Sequence, residues 1–295
     1  MFIDVLLILG MILPFAGCMA LKVMTDVPPD GIEISGARIY AVIDMPLQPL
    51  YLTEATAVSA AVVICLFFLC LFLTRKLSVR EPSRRQLLAE WIVEKCGGLV
   101  RDNMGERFAG FAPFIAAVMG ISGFSSLSSL LGLYAPTSDL SIIGGWAIVC
   151  FALITHYKLK GGVGNYLKGF TEPVVLFTPM NVISEFATPV SMSLRHYGNV
   201  MSGGVISTLL ASALGGLSHL VLGKLPGMLS QIPIFRVGIP AVLSLYFDIF
   251  SGLIQAFIFA LLTMMYVTNG FPEEKYEARM AKKRARLAEK KKASA

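Results

Sequence analysis

Two apolar stretches, residues 174–222 and 239–268, limit what this chain can fold into more than any other feature. Each exceeds the about 20 residues that carry a helix across a hydrocarbon core. Residues 239–268 alone would make a helix of about 45 Å, against a core of about 30 Å. Further apolar runs cover 5–21, 57–74, 110–133 and 140–157. Lipid offers no water to backbone N–H and C=O groups, so only helices or a closed barrel can cross it. The runs are continuous rather than alternating, which selects helices. The expected fold class is an all-α membrane protein of five to six transmembrane helices. Its last two are long and must tilt, kink or break. Gly203, Gly204, Gly215 and Gly216 mark places to bend or to approach another helix closely.

Composition agrees. The chain is 55% hydrophobic and 15% charged, with mean hydropathy +0.71; soluble domains carry about 25% charged residues. The five cysteines stand singly at 18, 65, 70, 96 and 150, without metal-ligand spacing, and an odd number suits no full disulfide framework. They read as small apolar packing residues.

Lys and Arg set the orientation. Segment 75–109 holds eight, segment 158–170 holds three (Lys158, Lys160, Lys168), and the last 25 residues hold nine. Segment 134–139 holds none, 215–238 only Lys224 and Arg236, and 1–56 only Lys22 and Arg38. Five crossings from residue 57 onward put the three basic segments on one side, the cytoplasm by the positive-inside rule. The basic tail then reads as lying near anionic lipid rather than on nucleic acid. Within 75–109, Leu87, Leu88, Trp91, Ile92 and Lys95 recur at helical spacing around Glu90 and Glu94, which predicts an amphipathic helix on the cytoplasmic surface. Residues 1–21 favour a retained segment over a signal peptide, because only Asp4 precedes the apolar run. Residues 22–52, polar and rich in Pro and acid, belong outside. The expected division is an N-terminal apolar segment and outer polar region (1–56), a transmembrane domain (57–270) and a basic cytoplasmic tail (271–295).

The chemistry sits where the apolar runs are interrupted: Asn181, Glu185, Arg195, His196, Asn199, Asp248 and Gln255. A charge within a bilayer costs about 2.5–3.5 kcal/mol on insertion scales, so such residues mark ion pathways more often than packing. Arg195 is the sharpest, because a guanidinium cannot shed its proton and is a fixed positive charge in a low-dielectric place. Glu185, Thr188, Met192, Arg195, Asn199 and Ser202 are spaced to share one helix face. Asp248, Gly252 and Gln255 follow at i, i+4 and i+7 on the last span, where Gly252 leaves room for a close neighbour or water. Two polar stripes on neighbouring long helices suggest a hydrated path.

The run from Asn181 through Pro189, Ser193-Leu194-Arg195 and Gly198-Asn199 resembles the signature of subunit a of bacterial F-type ATP synthases. Gly252-Leu-Ile-Gln255-Ala-Phe-Ile-Phe259 is similar to that family's last span. Pro136-Thr-Ser-Asp-Leu140 and Glu90 with Gly105 and Pro113 also fit, so the resemblance covers roughly residues 50–270. It implies a non-catalytic ion-translocating subunit lying against a rotating ring of c subunits, with b subunits of the peripheral stalk as further partners and no cofactor. Protons, or Na⁺, would reach the ring carboxylates through two half-channels that Arg195 keeps apart. Asn199 and Gln255 would orient Arg195 or line the path. Asp248 would be the outer relay, and Glu185 would stand on the inner approach.

There are departures. Gly204 stands where relatives often carry an acid, which throws weight on Asp248. His196 follows the arginine where relatives often have Leu, and at one residue from Arg195 it points elsewhere, as a structural residue. His156 and His219 fall at span ends. No Gly-Lys-Ser/Thr phosphate loop and no His-Glu-x-x-His helix is present. An independent transporter or ion channel is the alternative, though such folds usually show internal repeats and none is seen here.

Overall fold

The computed structural model describes residues 2–25, 36–46, 48–171, 174–222, 242–243, 245–278 and 280–281, without the side chains of His219, Leu222 and Asp248. Lys224, Arg236, the expected start of the last span at 239 and the tail beyond 281 lie outside the described residues.

Helix α1 spans Phe2–Met24 and runs antiparallel to α2, Glu54–Thr74. Between them strands β1 (Ile39–Ile43) and β2 (Leu50–Thr53) pair antiparallel, an element the alternation-poor outer segment did not predict. Thr53 caps α2 by accepting from Thr56 N. Helix α3, Arg84–Met104, is the expected amphipathic helix, capped by Ser83. It buries Gln86, Gly97, Val100 and Met104, while Leu87, Leu88, Trp91 and Ile92 stay exposed as an interfacial helix requires. It stops at Gly105, whose φ of 82° suits glycine.

A 3₁₀ turn, Glu106–Phe111, leads into α4, Ala112–Leu127, and α5 follows as Leu140–Leu159, capped by Asp139. After the short α6, Val163–Thr171, comes α7, Thr178–Leu222, 45 residues long. Residues 215–222, counted with the connection in the charge reading but within the apolar stretch 174–222, belong to this helix. The last span begins with a π-helical turn, Leu245–Ser251, and continues as α8, Gly252–Gly270. Among the described residues six helical segments are long and apolar enough to cross a membrane, matching the fold class expected from sequence.

The main core joins α3, α4, α5 and α8 through Val100, Phe108, Phe111, Ile115, Ile154, Met264 and Val267. Cys18 of α1 packs with Val58, Ala61 and Val62 of α2. Cys150, Met192 and Phe259 join α5, α7 and α8. The five cysteines are unpaired. Ion pairs fasten both ends of α1: Asp4 meets Arg75 and Arg85, while Lys22 meets Glu54 at 3.6 Å and also reaches the Gly132 carbonyl. Glu54, unremarked in the sequence reading, is only 3% exposed and accepts from Tyr134 N at 3.1 Å.

Candidate ion-path site

Helix α7 places Arg195, His196 and Asn199 within a little over one turn. Arg195 is exposed on the outer surface of the bundle, and no hydrogen bond or ion pair reaches it among the described residues. The heptad-like spacing of its stripe explains why. At about 100° per residue, Arg195 lies about 60° round the helix from Met192 and about 40° from Asn199. The stripe therefore turns Met192 and Asn199 inward and leaves Arg195 and Ser202 at its open edge.

His196, one step of about 100° further on, is fully buried. Its Nε2 lies 3.4 Å from Ser122 Oγ of α4, and its ring meets Trp146 and Phe259 edge-on. The structure thus packs His196 inside the bundle, away from Arg195.

Asn199 Nδ2 donates to Ser251 Oγ at 2.9 Å and to Gln255 Oε1 at 3.4 Å. Gln255 is 4% exposed, so its amide carbonyl finds its partner inside the protein. Ser251 was missed from sequence, although it lies four residues before Gln255 and shares its face. Gly252 has the close neighbour expected of it: a Cβ there would come within 2.5 Å of Ser126 Cβ. Asp248 falls in the π-helical turn, so its register to Gln255 is not the α-helical one that the sequence stripe assumed.

Glu185 lies ten residues before Arg195, about 15 Å along the helix. It binds Lys158 Nζ through both carboxylate oxygens, at 2.8 and 2.7 Å, and accepts from Tyr166 Oη at 3.2 Å. Lys158, read from sequence as a loop cation, is in the last turn of α5. A polar cavity of about 370 Å³ opens here, lined by Lys158, Tyr166, Asn181, Glu185 and Lys275 among others. Burial, and then the Glu185 charge, push the Tyr166 phenol up.

A second cavity, about 710 Å³, opens at the opposite end of α5. Thr56, Tyr134, Asp139 and Tyr197 line it, so α7 reaches it two residues past Arg195. Burial, then Asp139, raise the Tyr134 phenol.

Six apolar helices with polar groups and a fixed guanidinium set into them define a multi-pass membrane protein. The family model described as ATP synthase A chain matches residues 55–268. The chain is 32% identical over 223 residues to ATP synthase subunit a of Macrococcus caseolyticus, covering 72% of this chain and 86% of that protein. It is also 32% identical to ATP synthase subunit a of Bacillus subtilis, covering 74% and 91%. The chain belongs to the F-type ATP synthase subunit a family, whose members are the ion-translocating membrane subunit of that complex. Helix α1 lies outside the matched region.

Proposed function

We propose that this chain is the static partner of a rotating c ring and passes protons between two half-channels. The observation that carries this reading is Arg195: a permanent cation on the outward surface of a membrane helix, with no partner among the described residues. Such a charge in lipid needs a carboxylate from elsewhere. A membrane-embedded ring carboxylate arriving opposite Arg195 would be held in its charged form and would give up its ion. The same charge would stop ions leaking straight across.

The cavity beside Glu185 supports an inner half-channel, because the basic segments lie at its end. The cavity beside Tyr197 and Asp139 supports the outer one. Asn199 and Gln255 would hold the path at its middle, and Asp248 would relay ions on the outer side. The charge bias supports a cytoplasmic C-terminus in a bacterial cell membrane. The resemblance adds b subunits of the peripheral stalk as neighbours.

The test is ATP-driven ion uptake into inverted vesicles carrying the assembled complex, with Arg195→Ala against the parent. Loss of uptake with the subunit still assembled is the expected result. Uptake at the parental rate would overturn the reading. Repeating it with and without Na⁺ identifies the coupling ion.

A further inference from the structure

We infer that α1 is a resident crossing of the assembled subunit, held with its N-terminus on the cytoplasmic side by ion pairs to α2 and its flank at both ends, and that Lys22 is the counter-cation of the buried Glu54 carboxylate. Both Lys22 and Glu54 lie outside the matched residues 55–268, so membership of the family does not assign this contact. With 23 residues, α1 is long enough to cross the hydrocarbon core, which takes about 20.

The charges of α1 oppose this direction when they are read alone. Asp4 stands at its start and Lys22 at its end, and the positive-inside rule by itself would put the Lys22 end in the cytoplasm. The structure gives each charge an opposite partner instead. Asp4 Oδ1 accepts from Arg75 at 3.1 Å and from Arg85 at 3.0 Å, and both arginines belong to the basic segment 75–109. Lys22 Nζ lies 3.6 Å from Glu54 at the opposite end of α2. Pairing with α2 therefore sets the direction of α1 against the bias of its own flanks. A signal peptide carries a basic segment where α1 carries Asp4, and here that acid serves docking. Between the two ends Gly10 permits close approach, since a Cβ there would come within 2.8 Å of the Phe68 ring. Cys18 packs with Val58, Ala61 and Val62.

Glu54 shows what α1 adds to the rest of the chain. Its carboxylate is 3% exposed, and a buried charge is costly unless it is paired and hydrogen-bonded. Tyr134 N donates to it at 3.1 Å, and Lys22 supplies the cation. Lys22 also donates to the Gly132 carbonyl. One ammonium thus joins α1, the start of α2 and the segment that follows α4. Removing only the cation would leave a buried charge uncompensated, which is strongly destabilising.

The experiment uses the assembled complex and reads no ion pumping, so its failure is separate from failure of the rotary reading. The intact mass of the subunit is expected to include residues 2–24, and a mass short of them overturns the inference. Phe2 is 82% exposed, and Phe2→Cys is treated with a membrane-impermeant maleimide beside the parent, whose own cysteines give the baseline. Labelling severalfold above the parent in inverted vesicles, and at the parental level in right-side-out vesicles, is expected. The reverse pattern, or parental labelling in both, overturns the cytoplasmic N-terminus. The counter-cation is read from subunit recovered in the complex for Lys22→Met, Glu54→Gln and the double variant. Severalfold lower recovery of Lys22→Met, largely restored when Glu54→Gln is added, is expected. Parental recovery of Lys22→Met, or no restoration in the double variant, overturns the role of Lys22.

Discussion

Lys158 at the end of α5 and Glu185 near the start of α7 form a two-oxygen ion pair, 27 residues apart in sequence, at 2.8 and 2.7 Å. Both side chains are mostly buried, at 25% and 15% exposed. The pair fixes the N-terminal part of α7 and sets one wall of the polar cavity.

Lys158→Met removes the cation and leaves the Glu185 carboxylate with Tyr166 as its remaining hydrogen-bond donor among the described residues. Hydrogen bonds to charged groups contribute about 1.5–3 kcal/mol, so a loss of stability of that order is expected. Thermal unfolding of the purified complex measures it. Lys158→Met with Glu185→Gln should recover part of the loss, because the uncompensated charge is then gone. Strict additivity of the two changes would show that the pair contributes no coupling.

Gly252→Ala places a Cβ within 2.5 Å of Ser126 Cβ. Overpacking of this kind costs about 1–3 kcal/mol. Lower recovery of the chain in the complex is expected, with partial rescue by Ser126→Gly, which removes the opposing atom. Parental recovery of Gly252→Ala on its own would refute the close contact of α4 and α8.

Tyr166 gives a pH signature outside the membrane segments. Its phenol is raised by burial first and by Glu185 second. A raised value in the folded state means that the protonated phenol is favoured there. Its contribution to stability is complete below the unfolded phenol value and is lost as pH rises through the folded one. Tyr166→Phe should therefore flatten the stability loss above the ordinary phenol range of about 10. Ultraviolet difference titration of parent against Tyr166→Phe checks the shift directly. A phenol titrating at the ordinary value would contradict the site geometry.

Asn199→Leu removes the donor to Ser251 and Gln255. A neutral hydrogen bond contributes about 0.5–1.5 kcal/mol, and up to about 3 where a buried partner is left unpaired. ATP-driven uptake should fall while assembly is kept, and Asn199→Gln should restore part of it. Uptake unchanged in Asn199→Leu would remove this residue from the path.

The helices were legible because hydrophobic run length alone separates a membrane span from everything else in this chain. The intramembrane polar residues were legible for the same reason, since each interrupts an apolar background. Arg195, Asn199 and Gln255 were named in that way, and the structure joins Asn199 to Gln255. Lys158 was misplaced because positive charge near a span end reads as loop. Glu54 was overlooked because an acid at the start of an apolar run looks like a boundary residue, and only the docking of α1 and Tyr134 against it shows a buried carboxylate.

The sequence by itself determined that the chain crosses a membrane, which segments do so, and that α7 carries a permanent positive charge within the apolar part of its length. Those follow from local composition, because the bilayer imposes the same rule on every segment whatever its neighbours are. The tertiary structure alone decided which way each polar group faces. Arg195 turns outward and His196 inward to Ser122 from 74 residues earlier. Glu185 meets Lys158, and a π-helical turn changes the backbone register between positions 248 and 255. These pairings depend on helix rotation and close approach between distant segments, which a one-dimensional pattern does not encode.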